Sequence, residues 1–351
     1  MRRMVDKIRI AAIGFQHQHV FGLLDGLLAR EGVELVALAE ADAELRAMAS
    51  QRFPVAAYAD YREMLETEKP RAAVLAPVNS EKPAVIADCA ERGVHVYVDK
   101  PMATTLEGNE QIAAAIRRHG TVVYMAAAGG YGPSAAYKRL IDDGQLGRLV
   151  QFVNLAPHRL KLRPGAGWTR PAWSYRRAEN GGPIVDLGVH AVNTWRYLSG
   201  HEVAEVSAQH ANKRFPEYPE LEDHASVFLT MADGSTAFLG PSWLTPDADP
   251  SHGRYMTVVV GTEGQLEVLA PGIADGLEKG GHRSEVILTT RTQPPHRPEL
   301  PEDGLTAEDD FLAAIREGRP MRIGGEFLVE SQRVALVARD AADQGRAIRL
   351  R

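Results

Sequence analysis

Cysteine is nearly absent from this chain: Cys89 is the single cysteine among its 351 residues. One cysteine cannot form a disulfide within the chain. This argues against a small disulfide-stabilised secreted scaffold and favours a reducing compartment, the cytoplasm. Because Cys89 lies in the apolar, helix-like stretch 83–92, we predict that it is a buried packing residue and not a nucleophile.

Long apolar runs and a surplus of positive charge are also missing. No run approaches the about 18 apolar residues that a membrane span needs, and no signal-peptide core follows the basic residues 1–7. The chain has 46 acidic and 40 basic residues, a net charge of -6, so we expect neither a nucleic-acid nor a membrane partner. Hydrophobic residues make up 44% of the chain, which is enough for two hydrophobic cores.

The first third of the chain alternates short apolar runs with segments of helical periodicity. The apolar runs lie at 8–13, 33–39, 72–76, 94–98 and 122–126. Strands separated by helices in this way predict parallel β-α-β units and a doubly wound α/β sheet of the Rossmann type.

The pattern changes near residue 126, which predicts two domains. Residues 1–126 are expected to form the dinucleotide-binding Rossmann domain. Residues 127–351 contain short β-branched runs broken by turns, which predict an α+β domain with an open, mostly antiparallel sheet that binds substrate. An open sheet face favours self-association, so we expect a homodimer or homotetramer.

The turn after the first strand is the candidate cofactor site, because ligands of doubly wound sheets bind at the carboxyl ends of the strands. A dinucleotide fingerprint would have glycine at positions 14, 16 and 19, but only Gly14 is present. The following helix still offers backbone N–H groups to a pyrophosphate, and Gln16 and His17 add side-chain donors. The alternative is a strand–helix turn that binds no ligand.

Glu40 follows the second strand. An acid at this position accepts hydrogen bonds from ribose hydroxyls and repels a 2′-phosphate, which favours NAD over NADP. The alternative is a solvated acid in a loop, 26 residues after Gly14 and therefore beyond the usual spacing of about 20.

Two histidines in the same turn raise the question of a metal. His17 and His19 could join Asp186 and His190 from elsewhere in the chain. Spacing alone is weak support, and no cysteine cluster or His-Glu-x-x-His helix accompanies them. We therefore expect no metal site.

Two further segments carry groups suited to catalysis. Lys100 follows the fourth strand, and Pro101 restricts its backbone, so its ammonium can stabilise negative charge on a substrate oxygen. A helix predicted over 183–198 places Asp186 and His190 four residues apart on one face. Histidine can act as an acid or base near neutral pH. The alternatives are a surface lysine and a satisfied Asp–His hydrogen bond in a core.

Together these segments resemble the Gfo/Idh/MocA oxidoreductase family. Residues 94–103 look like its Glu-Lys-Pro motif, with Asp99 in place of the glutamate. Residues 181–190 match its Gly-Gly-x-x-x-Asp-x-Gly-x-His motif fully. Residues 137–147 are similar to the stretch that joins the family's two domains, and further similarity extends to the C-terminal end.

The resemblance implies that Lys100, Asp186 and His190 are catalytic and lie in a cleft between the domains. The expected reaction is hydride transfer between a hydroxyl-bearing carbon of a sugar or cyclitol and C4 of a nicotinamide. His190 or Lys100 would take the hydroxyl proton, and Asp186 would hold the sugar hydroxyl or the histidine. The residues expected to contact the cofactor are Gly14, Phe15, Gln16, His17, Glu40, Ala76, Pro77, Asn79, Asp99 and Lys100.

The sequence departs from the family pattern around the expected substrate. The family's Thr-Pro-Asn is Ala76-Pro77-Val78-Asn79, its next histidine is replaced around 81–83, and its Arg-Phe is Gly130-Tyr131. These departures suggest a non-standard substrate rim. An irregular segment rich in aromatic and basic residues supplies the candidates for that rim, which are Tyr131, His158, Trp168, Arg170 and Tyr175.

Two other functions remain open from the sequence. An NAD-assisted glycosidase or lyase would oxidise and re-reduce its sugar with an elimination between the two steps. A non-catalytic sensor would keep the fold and bind a sugar or NAD as a signal. The reduced glycine fingerprint favours the sensor, whereas the three catalytic candidates argue against it.

Overall fold

The computed structural model describes residues 7–160, 170–249, 251–271 and 284–350. Contacts between residues divide the chain into two compact units, and each unit is assembled from more than one segment of the sequence. The first unit comprises Met1–Ala127, Ala178–Asn180 and Leu305–Gln332, and the second comprises Ala128–Arg177, Gly181–Gly304 and Arg333–Arg351. The division at residue 126 into two continuous domains stays a prediction.

The first unit contains a parallel sheet in the order β3-β2-β1-β4-β5-β6, as predicted for a doubly wound fold. Its strand order reverses between β1 and β4, which places a ligand-binding crevice at their carboxyl ends. The central strands read as continuous apolar runs because helices cover both faces of the sheet. The strands are β1 Ile8–Ile13, β2 Val33–Ala39, β3 Ala56–Tyr58, β4 Ala72–Leu75, β5 His95–Asp99 and β6 Val123–Ala126.

Helices follow most of these strands, and their ends carry the expected signals. Asp42, Asp60 and Thr105 cap helix N-termini through their side chains, and Gly120 ends a helix in the left-handed conformation. The helices of the chain are α1 His19–Leu28, α2 Ala43–Arg52, α3 Tyr61–Glu68, α4 Lys82–Glu91, α5 Leu106–His119, α6 Pro133–Asp142, α7 Arg177–Asn180, α8 Gly182–Asp186, α9 Gly188–Ser199, α10 Ala307–Glu317 and α11 Gly325–Gln344.

The second unit contains a mostly antiparallel sheet in the order β13-β12-β11-β7-β10-β9-β8-β14, which confirms the predicted fold class. Its one parallel pairing among the described strands joins β7 and β10. One face packs on a core that includes Trp195 and Phe152, stacked at 5.0 Å between ring centroids. The strands are β7 Leu149–Pro157, β8 Val203–Ala211, β9 His224–Met231, β10 Thr236–Ser242, β11 Arg254–Gly261, β12 Gly264–Pro271, β13 Glu285–Thr290 and β14 Ile348–Arg349.

The helix predicted over 183–198 is two helices, α8 and α9, because Leu187 interrupts the helical backbone with φ -106° and ψ -43°. Asp186 therefore ends one helix and His190 lies in the first turn of the next. Within the described part of the chain, no helix combines the length and apolar character needed to cross a bilayer.

Candidate functional site

The turn after β1 requires glycine at its first position. Gly14 has φ +80°, and a Cβ atom on it would lie 2.4 Å from the backbone nitrogen of Pro77. Its amide donates to the carbonyl of Ala39 at 2.9 Å, and the amide of Gln16 donates to the carbonyl of Ala76 at 3.1 Å. The turn therefore joins the carboxyl ends of β1, β2 and β4. It brings together four of the residues predicted to contact a cofactor, namely Gly14, Gln16, Ala76 and Pro77.

Glu40 is bound to this turn and is not a solvated loop acid, since it is only 6% exposed. Its carboxylate accepts hydrogen bonds from the Phe15 amide at 2.6 Å, the Gln16 side chain at 3.1 Å and the Asp42 amide at 2.9 Å. A carboxylate offers about four lone-pair sites. One site therefore remains for a ribose hydroxyl, and displacement of the Gln16 side chain would free a second. The Phe15 side chain lies in the core, so Phe15 can serve a ligand only through its backbone.

A cavity of about 670 Å³ opens beside Glu40 at the same edge of the sheet. This volume is within the range of small-molecule and cofactor sites. Its lining includes three acids, Glu40, Asp42 and Glu81, together with Tyr61 and Pro77. Burial, followed by the nearby carboxylates of Glu40 and Glu179, raises the pKa of Glu81. The lining also contains one cationic side chain, Arg62, so the charged groups around the cavity are three acids and one arginine.

The segment that carries Lys100 is held by a buried lysine that sequence reasoning missed. Lys82, the first residue of α4, is fully buried, and its Nζ donates to the carbonyls of Asp99 at 2.8 Å, Lys100 at 3.3 Å and Pro101 at 3.1 Å. The Lys100–Pro101 peptide bond is cis, and Lys100 is 8% exposed. We call residues 99–101 the lysine strap. Lys82 lies in the stretch 81–83, where the sequence departs from the family's histidine. That departure is the one sequence feature that could have drawn attention to Lys82.

Asp99 connects the lysine strap to the turn after β1. Its carboxylate lies 3.0 Å from Nδ1 of His19 and 3.6 Å from Nδ1 of His17, and it is almost fully buried. Burial acts to raise the pKa of Asp99, but His19, Lys82 and His17 together hold it well below the usual range. The structure therefore groups both histidines with Asp99, a partner that the sequence did not suggest for them.

Asn79, also predicted to contact a cofactor, lies in a short 3-10 helix, Asn79–Glu81, and is 3% exposed. Its side-chain amide donates to the carbonyl of Asn180 at 3.2 Å. The hydroxyl of Thr104 similarly donates to the carbonyl of Ala178 at 3.0 Å. These two hydrogen bonds attach the short segment Ala178–Asn180 to the rest of the first unit. The side chain of Asn79 therefore stabilises the fold of this unit.

In the second unit, two glycines allow the chain to enter α8. Gly181 has φ +101° and Gly182 has φ +78°, and a Cβ atom on Gly182 would lie 2.8 Å from Oε2 of Glu222. These left-handed conformations are readily available only to glycine. They allow α8 to begin directly after α7 and place Asp186, 5% exposed, at its end.

The imidazole of His190 has a defined orientation. Its Nδ1 accepts a hydrogen bond from the backbone amide of Ala128 at 2.9 Å. An amide N–H only donates, so Nδ1 carries a lone pair and the proton of the neutral ring is on Nε2. The side chain of His190 can therefore donate from Nε2 without losing its bond to Ala128.

Two of the predicted substrate residues lie around a small hydrophobic core that supports α8. That core contains Leu187, the residue between the two helices, and Trp243. The guanidinium of Arg170 lies 4.6 Å from the Trp243 ring, and its Nε donates to the carbonyl of Leu160 at 2.8 Å. The ring of His158 lies edge-on to Trp243 at 5.9 Å between centroids. Arg170 thus has a role in the fold of this unit.

The other predicted substrate residues have different surroundings. Tyr175 stacks on Tyr218 with ring centroids 4.1 Å apart, and both pack against the same small core. Tyr131 is partly buried, and its carbonyl accepts the Ser134 hydroxyl at 2.8 Å. Trp168 lies outside the described residues. The structure therefore groups His158, Arg170 and Tyr175 around one core.

Comparison with protein families supports the assignment of both regions. A family model described as an oxidoreductase family with an NAD-binding Rossmann fold matches residues 8–127. A model of the GFO/IDH/MocA C-terminal domain matches residues 134–267. The resemblance deduced from the lysine and Asp/His motifs is confirmed by these two matches.

Individual relatives point to the same class of protein. D-apiose dehydrogenase of Paraburkholderia graminis is 25% identical over 99% of this chain and 91% of its own length. The uncharacterized oxidoreductase YrbE of Bacillus subtilis is 27% identical, and the match covers 52% of each protein, about half the relative's length. A putative oxidoreductase from Thermotoga maritima has a structure with a TM-score of 0.84 and 26% identity, covering 97% of this chain and 100% of that one. The predicted class, a dehydrogenase-type oxidoreductase, agrees with these names.

Proposed function

Since the chain belongs to the Gfo/Idh/MocA oxidoreductase family, we propose that it is an NAD-dependent dehydrogenase. Its substrate is a sugar, cyclitol or related polyol, and it transfers hydride between a hydroxyl-bearing carbon and the nicotinamide. The observation that carries this proposal lies within the first unit. One edge of its parallel sheet holds both the Glu40 cavity and Lys100, and ligands of such sheets bind at that edge.

Glu40 and its cavity support NAD as the cofactor in preference to NADP. The remaining lone pair of Glu40 fits a ribose hydroxyl, and the Glu40 carboxylate would repel a 2′-phosphate at the same position. The N-terminus of α1, which begins at His19, follows the Gly14 turn and suits a pyrophosphate.

Lys100 and His190 would have distinct roles. When NAD is bound, its nicotinamide ring supplies the hydride acceptor. In the direction of oxidation, Lys100 takes the proton of the substrate hydroxyl as hydride leaves the carbon that bears it. His190 already has its Nδ1 bonded to Ala128, so Nε2 is the atom through which it would donate a hydrogen bond to the substrate. Asp186 binds a neighbouring hydroxyl and orients the sugar.

Steady-state kinetics with NAD and a panel of pentoses, hexoses and inositols test this proposal. Lys100→Ala should lower kcat by about 10³-fold, within the range for loss of a general acid–base group. The matched control is Lys138→Ala, which removes a lysine paired with Asp142 on α6 and should have wild-type kinetics. Wild-type turnover by Lys100→Ala would contradict the assigned role of Lys100.

Two other outcomes of the same assays would replace the proposed activity. Product formation without net accumulation of reduced nicotinamide would indicate the NAD-assisted glycosidase or lyase. Thermal stabilisation by NAD without turnover of any sugar in the panel would indicate the sensor. Absence of any shift with NAD or NADP would contradict cofactor binding itself, since a ligand at 100 times its Kd should stabilise the protein by about 2.7 kcal/mol.

Self-association through the second sheet is part of the proposal. One face of that sheet exposes large apolar side chains on adjacent strands: Phe228 at 43%, Phe238 at 36%, Met256 at 38% and Leu269 at 44%. Phe228 is paired across strands with Phe238, and Met256 with Leu269. The two pairs lie on either side of β7 in the strand order, and exposed apolar side chains grouped on one face are typical of an interaction site. Light scattering should show a homodimer or homotetramer, and Phe238→Asp should yield monomers.

A further inference from the structure

We propose that His17, His19 and Asp99 bind a divalent transition-metal ion of the zinc type. The histidines come from the turn between β1 and α1, and Asp99 comes from the end of β5, all within the first unit. One ligand atom from each side chain lies within 4.8 Å of the other two. The sequence predicted no metal because spacing alone gave weak support and no cysteine cluster or His-Glu-x-x-His helix accompanies these histidines. The structure supplies a different third ligand.

The distances fit a compact coordination sphere. Two ligand atoms at 2.0–2.1 Å from a tetrahedral zinc ion are roughly 3.3 Å apart. In the protein, Nδ1 of His19 lies 3.0 Å from Oδ1 of Asp99, and Nδ1 of His17 lies 3.6 Å from Oδ2. The two imidazole rings are adjacent, with centroids 4.0 Å apart. The contact between His19 and Asp99 is a hydrogen bond in this structure, and coordination of one ion by both side chains would replace it.

The surroundings match an open metal site. The Asp99 side chain is 3% exposed, whereas the His19 side chain is 47% exposed. The exposed side leaves a coordination position for water. The ammonium of Lys82 donates a hydrogen bond to the backbone carbonyl of Asp99 at 2.8 Å. This bond holds the backbone of the residue that supplies the carboxylate ligand. The His19 amide donates to Nδ1 of His17 at 3.2 Å, and coordination through that atom would replace this bond.

Metal titration of the apoprotein tests the site without any nicotinamide cofactor. The protein is produced without a polyhistidine tag, dialysed against a chelator and titrated calorimetrically with Zn²⁺. We expect one ion per chain. His17→Ala, His19→Ala and Asp99→Asn should each weaken binding at least about tenfold. His119→Ala is the matched control, because His119 is an exposed histidine at the end of α5 and should leave the affinity unchanged.

Cobalt provides an independent readout of the coordination sphere. A site with two imidazoles and a carboxylate should give Co²⁺ a visible absorption spectrum that the His19→Ala protein lacks. Circular dichroism of each variant confirms that lost binding does not reflect lost structure. Equal affinity of the wild-type protein and all three folded variants, or binding lost equally in His119→Ala, would overturn the proposal. Neither result depends on dehydrogenase activity.

Discussion

The lysine strap in the first unit and the Gly181–His190 segment in the second keep their shapes by different means. In the strap, the buried ammonium of Lys82 bonds three successive carbonyls. In the second segment, the chain turns through two glycines with positive φ and continues as helix. The first shape depends on charged side chains, and the second on backbone conformation. Substitutions of different kinds should therefore disrupt the two regions.

The Gly14 turn follows the same rule as the lysine strap. At positions where a dinucleotide fingerprint has its second and third glycines, this chain has Gln16 and His19. Gln16 bonds to Glu40, and His19 contacts Asp99. Both replacements therefore bind buried acids at the carboxyl ends of other strands of the sheet, Glu40 after β2 and Asp99 at the end of β5. Only Gly14 remains, because its left-handed φ and its contact with Pro77 leave no room for a side chain. At these two positions the turn is stabilised by side-chain hydrogen bonds, where the fingerprint relies on the small size of glycine.

The largest effect should come from removing the charge that holds the strap. Lys82→Met keeps most of the buried side-chain volume but leaves the three carbonyls without this donor. We expect the free energy of unfolding to fall by about 3 kcal/mol. Urea denaturation measures the change. The control Lys7→Met removes an exposed lysine paired with Glu34 and should cost no more than about 0.5 kcal/mol. Equal losses in both variants would mean that the strap does not depend on Lys82.

A smaller loss should follow a backbone change in the second unit. Gly182→Ala puts a side chain on a residue with φ +78° and moves it against Glu222, so we expect about 2 kcal/mol of destabilisation. Gly200→Ala is the control, since Gly200 has φ +70° but no atom within 4 Å of its added Cβ. Gly200→Ala should lower the free energy of unfolding by about 1 kcal/mol. The difference between the two variants then separates the cost of the positive φ from the cost of the contact with Glu222. If both variants lost the same amount, the contact with Glu222 would be unimportant.

The fold could be predicted from the sequence wherever burial leaves a pattern. Five strands of the parallel sheet coincide with apolar runs. β3, Ala56–Tyr58, was missed because its residues are exposed or half-buried and give no such run. The parallel pairing of β7 with β10 was also missed, since the pairing depends on contacts distant in sequence. The break at Leu187 was missed because both helices it separates are buried, so their apolar pattern is continuous.

The candidate site shows the same limit. Glu40 and Lys100 could be placed because each follows a strand of a parallel sheet, and such strand ends lie at one edge. The role of Lys82 could not, because its partners are backbone carbonyls 17 to 19 residues away, which no side-chain pattern records. The grouping of His17 and His19 with Asp99 was missed because Asp99, 80 residues from His19, had been interpreted as a variant of the family's glutamate and as a cofactor contact.

Cofactor binding should respond moderately to a change at Glu40. Glu40→Gln keeps the size of the side chain but removes its charge, and its amide nitrogen cannot accept the amide protons that the carboxylate accepts. We expect the Kd for NAD to rise about tenfold, equivalent to about 1.4 kcal/mol, and the discrimination against NADP to fall. Fluorescence titration measures both. Glu66→Gln, on a side chain 65% exposed and paired with Arg92, should bind like wild type. Unchanged affinity in Glu40→Gln would exclude a ribose contact.

The smallest effect is expected at Cys89, whose reactivity can report on the first unit alone. Burial raises the pKa of this thiol to about 12, so at pH 8 only about one molecule in ten thousand carries the reactive thiolate. A disulfide reagent should therefore leave the native protein unlabelled and react fully in urea.

Cys89 lies on α4, the helix that begins at Lys82. If side-chain charge holds this region independently of the second unit, Lys82→Met should speed labelling in the absence of denaturant, because α4 opens locally more often. Gly182→Ala should leave the labelling rate close to that of wild type, although it lowers the overall stability. Equal acceleration of Cys89 labelling in both variants would show that the two regions open together. The two regions would then differ in how their native conformations are stabilised but not in how they unfold.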